Sequence, residues 1–400
     1  MIDPGLKEFA TPRQAEYVDA IIAHGTGTKA AKAMGIDKAA LNRGIVALKK
    51  KAALHGYAPA YDMHKIVPAP FVVRGTSTLY DDLGNQKLQW VKTRLDDEQV
   101  EQAMREFIDS LVEDVRGLAP VQPVPEVAYR DLLAVYPVGD PHFGLYSWRA
   151  ESGDDFDLSI AEQITTAAID RLVASAPAAE TGLLLILGDM FHTDYNQNRT
   201  LRSGNALDVD TRWAKVMQVG LRALVYSVKR LRSKHRQVMV KILKGNHDEH
   251  SSFAIALALD AYFSADRAIT VDLSPAEHWY YRFGQVLIGA THGDKAKMPE
   301  LPGIMACDRS DDWGKASHRY WYQGHIHHDE VREFPGCTVE AFRTLAARDA
   351  WHSGEGYRAG RDMRCIVHHA IYGEVERHRC DIACWVMPDD GQGNGDTGDG

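Results

Sequence analysis

One pattern recurs five times between residues 131 and 327: a short aliphatic or aromatic run that leads to Gly, Asp, His or Asn. Continuous apolar runs of five or six residues are typical of buried strands in a layered α/β fold. Sites in such folds gather beyond the carboxyl ends of the strands, so we expect the polar tips to converge. The tips are Gly139-Asp140-Pro141-His142, Gly188-Asp189-Met190-Phe191-His192, Gly245-Asn246-His247-Asp248, Thr291-His292-Gly293-Asp294 and Gly324-His325-Ile326-His327.

The residue types in these tips indicate a metal centre. A single D-x-H or H-x-H is usually a turn or a surface histidine, but five such tips supply the ligands of two metal ions and a shared carboxylate. Carboxylate, imidazole and amide oxygen without thiolate suit Mn, Fe or Zn in open coordination. Two such ions about 3.5–4 Å apart can hold a bridging hydroxide that attacks a phosphate. A histidine that binds no metal can then protonate the leaving oxygen.

The five motifs resemble the calcineurin-like metallophosphoesterase superfamily, whose pattern is D-x-H, G-D-x-x-(D/H), G-N-H-(D/E), H and G-H-x-H. The resemblance spans roughly residues 131–381 and implies an α/β layered sandwich of two mixed β-sheets flanked by helices. It implies two divalent ions, with Mn expected and Fe, Zn or Mg as alternatives. Asp189 would bridge them, His247 would be the catalytic histidine, and Asp248 would orient its loop. The implied ligands are Asp140, His142, Asp189, Asn246, His292, His325 and His327.

His192 indicates which branch of the superfamily the sequence resembles. Many phosphatases of the superfamily have Asp at this place, whereas Gly-Asp-Met-Phe-His is similar to the motif of SbcD-like DNA-repair exonucleases and implies a catalytic role for His192. Histidine at this place also occurs in other phosphoesterase groups. The capping domain and ATPase-docking helices of the SbcD-like group have no clear counterpart, and the arrangement looks more like phosphoesterases of tailed-phage replication regions.

Residues 1–56 predict three short helices that precede the catalytic domain as a small all-α module. Thr11-Pro12 begins the first, Thr28 caps the second and Asp37 caps the third. The stretch 28–37 resembles a helix-turn-helix. The module carries nine Lys/Arg against five Asp/Glu, although the whole chain has a net charge of −9. DNA or RNA binding is favoured, and a protein-interaction module with solvated lysines is the alternative. Its candidate contacts are Lys38, Asn42, Arg43, Lys49 and Lys50.

The remaining segments complete a four-part organisation. After the helix-turn-helix-like module, residues 57–128 predict a hairpin with strands at 71–74 and 88–92 around 83–85, a helix over 97–116 and a proline-rich linker. Residues 129–386 form the metallophosphoesterase catalytic domain, and 387–400 a disordered tail. Two polar loops could also contact nucleic acid: 193–210 with Arg199, and 343–361 with Arg343 and Arg358.

Composition excludes some classes of protein. No apolar run reaches the length of a membrane span, and the N-terminus lacks a signal-peptide pattern. Five irregularly spaced cysteines suit reduced thiols, so we expect a cytoplasmic protein, in the host-cell cytoplasm if phage-encoded. The sequence predicts a metal-dependent phosphodiesterase acting on DNA, most plausibly a nuclease. The alternative is a phosphatase or phosphodiesterase acting on nucleotides or phosphoproteins. A partner protein or a homo-oligomer stays open.

Overall fold

The computed structural model describes most of the chain and divides it into two compact units, residues 1–107 and 108–400. No helix in the described part is long and apolar enough to cross a membrane. The predicted turn at 83–85, the tail 387–400 and several positions of the predicted helix 97–116 lie outside the described residues. The described residues are 2–64, 66–67, 71–81, 86–95, 102, 105–106, 108–110, 112–113, 115–125, 129–196, 198–199 and 206–385.

The first unit begins with the three predicted helices. Helix α1 (Pro12–His24) starts with a capping box at Thr11 and ends at Gly25, whose φ is 77°. Helix α2 (Gly27–Ala33) is capped by Thr26, so the prediction that Thr28 is the cap is wrong by two residues. Helix α3 (Lys38–Leu54) begins after Asp37. Their core contains the predicted stripe of α3 together with residues from the two preceding helices: Val18, Ala30, Ala31, Leu41, Ile45, Leu48 and Ala52.

Two antiparallel ribbons complete the first unit. Strands β1 (Tyr57–Ala58) and β2 (Met63–His64) form a very short pair. Strands β3 (Phe71–Tyr80) and β4 (Gln86–Leu95) form the predicted hairpin, with longer strands than the sequence pattern indicated.

The second unit contains a six-stranded mixed sheet of order β15-β14-β5-β6-β7-β8, in which β5 to β8 are parallel. Helices α5, α6 and α7 pack on one face, and α4 (Arg149–Ser152) is a single turn. Strand bounds are β5 (Tyr129–Val138), β6 (Ala179–Ile186), β7 (Gln237–Ile242), β8 (Ile269–Asp272), β14 (Asp362–His369) and β15 (Gly373–Asp381); helix bounds are α5 (Leu158–Ser175), α6 (Trp213–Arg232) and α7 (Ser251–Phe263).

A second mixed sheet has five strands in the order β12-β13-β11-β10-β9, with β10, β11 and β13 parallel. Its strands are β9 (Trp279–Phe283), β10 (Val286–Thr291), β11 (His318–Gln323), β12 (Glu330–Phe334) and β13 (Cys337–Ala341). The short helices are α8 (Leu301–Asp308), α9 (Ser310–Lys315), α10 (Ala350–Gly354) and α11 (Ile382–Trp385).

Strand alternation arranges these elements in four layers. In β5, Leu133 and Val135 belong to the core between the two sheets, while Ala134 and Tyr136 belong to the core under the helices. In β10, Ile288 faces the first sheet, whereas Leu287 packs with Leu301 of α8 on the outer side. The predicted fold class, two mixed sheets flanked by helices and preceded by a small helical module, is confirmed.

Candidate metal centre

The predicted tips meet because they follow neighbouring parallel strands. Asp140 and Asp189 follow β5 and β6, the segment around Asn246 follows β7, and His292 follows β10. His325 and His327 follow β11, which pairs in parallel with β10. Parallel pairing places all these carboxyl ends at one edge of the two sheets.

Two groups of three side chains bring possible ligand atoms within 4.8 Å of one another: Asp140 with His142 and His327, and Asp189 with His292 and His325. His142 Nε2 lies 3.3 Å from His327 Nε2 and 3.9 Å from Asp189 Oδ2, which connects the two groups. Each group contains one carboxylate and two imidazoles and no thiolate. This donor set fits Mn, Fe or Zn, and the two groups bring together six of the predicted ligands.

Asn246 completes the second group. Its Oδ1 lies 3.0 Å from His292 Nε2, while His292 Nδ1 lies 2.9 Å from the carbonyl oxygen of Leu187. A ring N–H donated to a backbone carbonyl fixes the tautomer, so Nε2 is the nitrogen left to bind a cation. The structure therefore presents Asn246 and His292 to the same point.

The buried carboxylates at the site favour positive charge. Burial raises the pKa of Asp140 to about 7, with His292 opposing and Asp189 adding to the shift. Burial alone would lower the pKa of His292, but Asp189 and Asp140 raise it to about 10. Burial holds the pKa of His142 well below its ordinary value. Two buried carboxylates that favour a nearby positive charge are expected of groups that bind divalent ions.

Backbone conformation also distinguishes the site. Seven non-glycine residues in the described part of the chain have positive φ, and five of them are predicted ligands. Such conformations are uncommon outside glycine and cluster at functional sites, where surrounding contacts enforce them. The five are Asp140, His142, Asp189, His325 and His327, with φ between 43° and 67°.

Two glycines allow the ligand loops to approach closely. A Cβ on Gly245 would lie 1.9 Å from Asp189 Oδ1, and one on Gly324 would lie 2.5 Å from Asp140 Oδ2. Neither carboxylate could keep its place beside a larger residue. The glycines that precede the predicted motifs are therefore part of the site.

The predicted catalytic residues surround the first group. His247 donates its backbone N–H to Asp189 Oδ1 at 2.9 Å, and its Nδ1 lies 2.9 Å from the carbonyl oxygen of His192. His192 is buried, and its Nδ1 lies 3.3 Å from His142 Nδ1. With His142 and His247, His192 also forms a third group of potential ligands.

Asp248 lies behind the site. Its carboxylate accepts hydrogen bonds from the backbone N–H groups of Gly245 and Phe191, at 2.9 and 3.1 Å. It therefore fastens the loop after β7 to the loop after β6, as an orienting residue would.

Sequence reasoning missed two residues that support the site. Thr344 Oγ1 donates to the backbone oxygen of Asp140 at 2.6 Å. Asp194, buried, accepts from the backbone N–H groups of His250 and Ser251 at the start of α7. Asp194 stands two positions after the predicted His192, so proximity to a motif was its one signal, and Thr344 had none.

The candidate nucleic-acid contacts lie in different surroundings. Arg343 pairs with buried Asp362 at 2.9 Å and keeps 23% of its side chain exposed. Arg199 is exposed in the loop after β6. In the first unit every candidate is exposed on α3, namely Lys38, Asn42, Arg43, Lys49 and Lys50.

Comparisons with known proteins give remote structural similarity alone. No family model matches the chain, and no curated protein matches it. Vps29 of Entamoeba histolytica complexed with zinc is 14% identical, with a TM-score of 0.27 over 62% of this chain and 98% of that one. An archaeal phosphodiesterase is 10% identical (TM-score 0.31; 62% and 99%), and a putative 5'-nucleotidase from Staphylococcus aureus is also 10% identical (TM-score 0.32; 63% and 54%). These values are too low to transfer an activity, which therefore has to be argued from the site's own residues.

Proposed function

We propose that this protein is a metal-dependent phosphodiesterase that hydrolyses DNA. The observation that carries the proposal is the pair of ligand groups around Asp140 and Asp189, joined through His142 and flanked by His247. When bound, two divalent ions would supply Lewis-acid charge at the phosphate and a nucleophile at neutral pH. The proposed metal is Mn, which the nitrogen and oxygen donors suit, as they also suit Fe or Zn.

The residues of this chain would divide the work as follows. Asp140, His142 and His327 would hold one ion, Asn246, His292 and His325 would hold the other, and Asp189 would serve both. The carbonyl oxygen of His192 accepts the Nδ1–H of His247, which leaves His247 Nε2 to exchange a proton with the leaving oxygen. His192 Nδ1 faces His142 and so orients that ligand. The branch similar to SbcD-like exonucleases remains part of this proposal.

The choice of DNA is supported by helix α3. It carries Lys38, Arg43, Lys49, Lys50 and Lys51 and no acidic residue. Its exposed face also offers Asn42 and Val46, and an amide, a guanidinium and an apolar group are side chains that read base edges in the major groove. Val46 is 66% exposed and equally suits the alternative, a protein-interaction module.

Substrate comparison tests the catalytic proposal. With Mn²⁺, we expect the purified chain to hydrolyse bis-(p-nitrophenyl) phosphate much faster than p-nitrophenyl phosphate, and then to cut linear, nicked or single-stranded DNA. Activity on the monoester with all three DNA forms intact would reject the nuclease and favour the phosphatase alternative. Binding of Mn²⁺ with no hydrolysis of any substrate would indicate an inert domain.

The role of the first unit is tested in the full chain. Lys49→Gln combined with Lys50→Gln should weaken binding to duplex DNA and reduce the salt dependence of log K by about 0.9 per lost phosphate contact. The matched control is Lys7→Gln, which removes a lysine that already pairs with Asp19. Deleting residues 1–56 should have a larger effect on DNA affinity while sparing hydrolysis of the small diester. Unchanged DNA binding by both would favour the protein-interaction module.

A further inference from the structure

A cavity of about 440 Å³ opens beside the metal centre, and His327 lies in its wall. The cavity is bordered by three separate segments: the turn around α4, the loop that follows β13, and the end of β15. Its volume is within the range of small-molecule and cofactor sites. Four arginines line it, Arg149, Arg348, Arg358 and Arg361.

Two of these arginines are balanced by carboxylates. Arg149 pairs with Asp155 at 3.2 Å, and Arg348 pairs with Asp154 at 3.3 Å. The third aspartate in the wall, Asp381, lies 3.5 Å from Arg379. The acidic residues of the cavity are therefore engaged with other basic groups.

Arg358 and Arg361 form no ion pair within the described part of the chain. Arg361 donates from Nε and Nη2 to the carbonyl oxygen of Leu345, at 3.1 and 2.9 Å, and lies over the ring of Phe156. Arg358 is exposed and donates from Nη1 to the carbonyl oxygens of Ser353 and Tyr357. Backbone oxygens hold both guanidinium groups in place without neutralising them.

The electrostatic surroundings of Arg361 differ from those of Arg377, which forms ion pairs with glutamates. Burial lowers the pKa of Arg361, with Asp154 opposing and Arg348 adding to the shift. Burial also acts on Arg377, but the hydrogen bonds that Arg377 donates to Glu374 and Glu340 raise the pKa of that residue instead. A positioned cation that makes no direct ion pair within the described residues is a natural partner for an anion, and the planar guanidinium suits phosphate oxygens in particular.

We propose that this cavity binds the phosphate group adjacent to the one being cleaved, through Arg358 and Arg361. His327 belongs both to the wall of the cavity and to the first ligand group, so a strand that reached from one to the other would carry at least two phosphates. This rests on the proposed function and deepens it, since the preferred substrate becomes a polynucleotide strand and not an isolated phosphodiester. Contacts to flanking phosphates position a strand and are independent of its sequence.

Binding without metal tests the proposal independently of catalysis. The full-length protein is titrated calorimetrically in EDTA with a 5'-phosphorylated thymidylate trimer, and with inorganic phosphate in a second series. We expect Arg358→Gln to bind the trimer about tenfold more weakly, the usual scale for a hydrogen bond to a charged group. Its salt slope should fall by about 0.7, the value for one phosphate contact on a single strand.

The matched control is Arg267→Gln. Arg267 is exposed, forms no ion pair in the described structure and precedes β8, at the sheet edge opposite the metal centre. Because every protein is the full chain, binding by the first unit is common to all. Arg361→Met should also weaken trimer binding, and its melting temperature shows whether it is folded.

Trimer affinity and salt slope that are the same in Arg358→Gln and wild type would overturn the proposal. Equal losses for the trimer and for inorganic phosphate would also overturn it, because the cavity would then be a site for the free anion. A failure of the proposed function looks different, since it appears as absent hydrolysis with Mn²⁺ and leaves these titrations unaffected.

Discussion

The second unit buries two sets of histidines, and their surroundings differ. His235, between α6 and β7, accepts at its Nε2 a hydrogen bond from the hydroxyl of Tyr136, 2.9 Å away, and His368 of β14 is 2.8 Å from the hydroxyl of Tyr322. Burial lowers the pKa of His235 to about 4 and that of His368 to about 3. These rings are neutral, and each has a neutral hydrogen-bond partner of its own.

The histidines at the strand ends face one another instead. His142 lies 3.3 Å from both His192 and His327, and the ring centres of His292 and His325 are 5.0 Å apart. Burial lowers the pKa of His142, whereas Asp189 and Asp140 raise that of His292. The difference teaches that burial alone does not mark a functional histidine. A functional site is indicated instead by several imidazole rings that converge on shared carboxylates, because the charge of those carboxylates suits a bound cation and not a tyrosine hydroxyl.

The largest expected effect comes from Asp189→Ala. In the proposed site this carboxylate serves both ions, so its removal should abolish Mn²⁺ binding in calorimetry and reduce hydrolysis of bis-(p-nitrophenyl) phosphate to the metal-free background. His235→Gln is the matched control from the other set, and both measurements should stay at the wild-type level. If Asp189→Ala bound Mn²⁺ normally, the bridging assignment would be wrong.

The next effect concerns His247, which contacts the site without belonging to either carboxylate group. His247→Ala should keep its Mn²⁺ affinity and lose on the order of 10²–10⁴ in kcat, the usual scale for a general acid. Added imidazole should restore part of the rate, because it replaces the missing ring and not a ligand. Near-normal turnover would contradict the assigned role.

The pH dependence of stability tests the histidines of the core, with His235 as the example. The pKa of His235 in the folded protein is about 4, below its ordinary value of 6.5, so between these values the unfolded chain binds more protons. Stability should therefore fall as the pH drops from about 6.5 to about 4. From the size of the shift, wild type should lose roughly 3 kcal/mol more than His235→Gln over this range.

Urea denaturation of both proteins at several pH values measures this difference. Groups at the metal centre titrate equally in the two proteins and cancel, and the glutamine keeps a hydrogen bond possible on each side. Parallel curves for the two proteins would show that His235 does not titrate with the folding transition.

The smallest effect is expected for Tyr136→Phe. It leaves His235 Nε2 buried without its donor, which should cost about 1–2 kcal/mol of unfolding free energy. Tyr226→Phe is the control, because that tyrosine is 41% exposed and bonds to Asp170 near solvent. Equal losses of unfolding free energy in the two variants would mean that the buried Tyr136–His235 hydrogen bond stabilises the protein no more than the exposed one.

The strand ends could be predicted from sequence because each mainly apolar run leads to a polar tip that contains glycine. The rest of the sheet could not. Strand β14 pairs with β5 and is buried, yet it contains Arg364 and His368, which interrupt the apolar pattern. Arg364 is tolerated there because it pairs with Asp362 of the same strand and with Asp329 and Glu340, which come from other parts of the chain.

The site shows the same limit on a smaller scale. Its predicted ligands could be recognised as sequence motifs. Thr344 belongs to no motif, and it contacts Asp140 because the fold brings the two residues together. The arginine-lined cavity combines segments more than 200 residues apart, and no local pattern encodes such a meeting. The wrong cap of α2 has a local cause. Thr26 caps the helix and Thr28 was predicted, because either threonine can accept hydrogen bonds from the first free N–H groups.

The positive φ angles at five ligand positions have an evolutionary consequence. After glycine, Asp, Asn and His are the residues that adopt this conformation most readily. The backbone conformation and metal binding therefore favour the same few residue types. A descendant that lost catalysis would first accept Asn or Gly at these places, because a β-branched residue would strain the loop. Such a copy would keep much of the motif's appearance long after its activity had gone, and Asp140→Asn is the substitution by which that drift would begin.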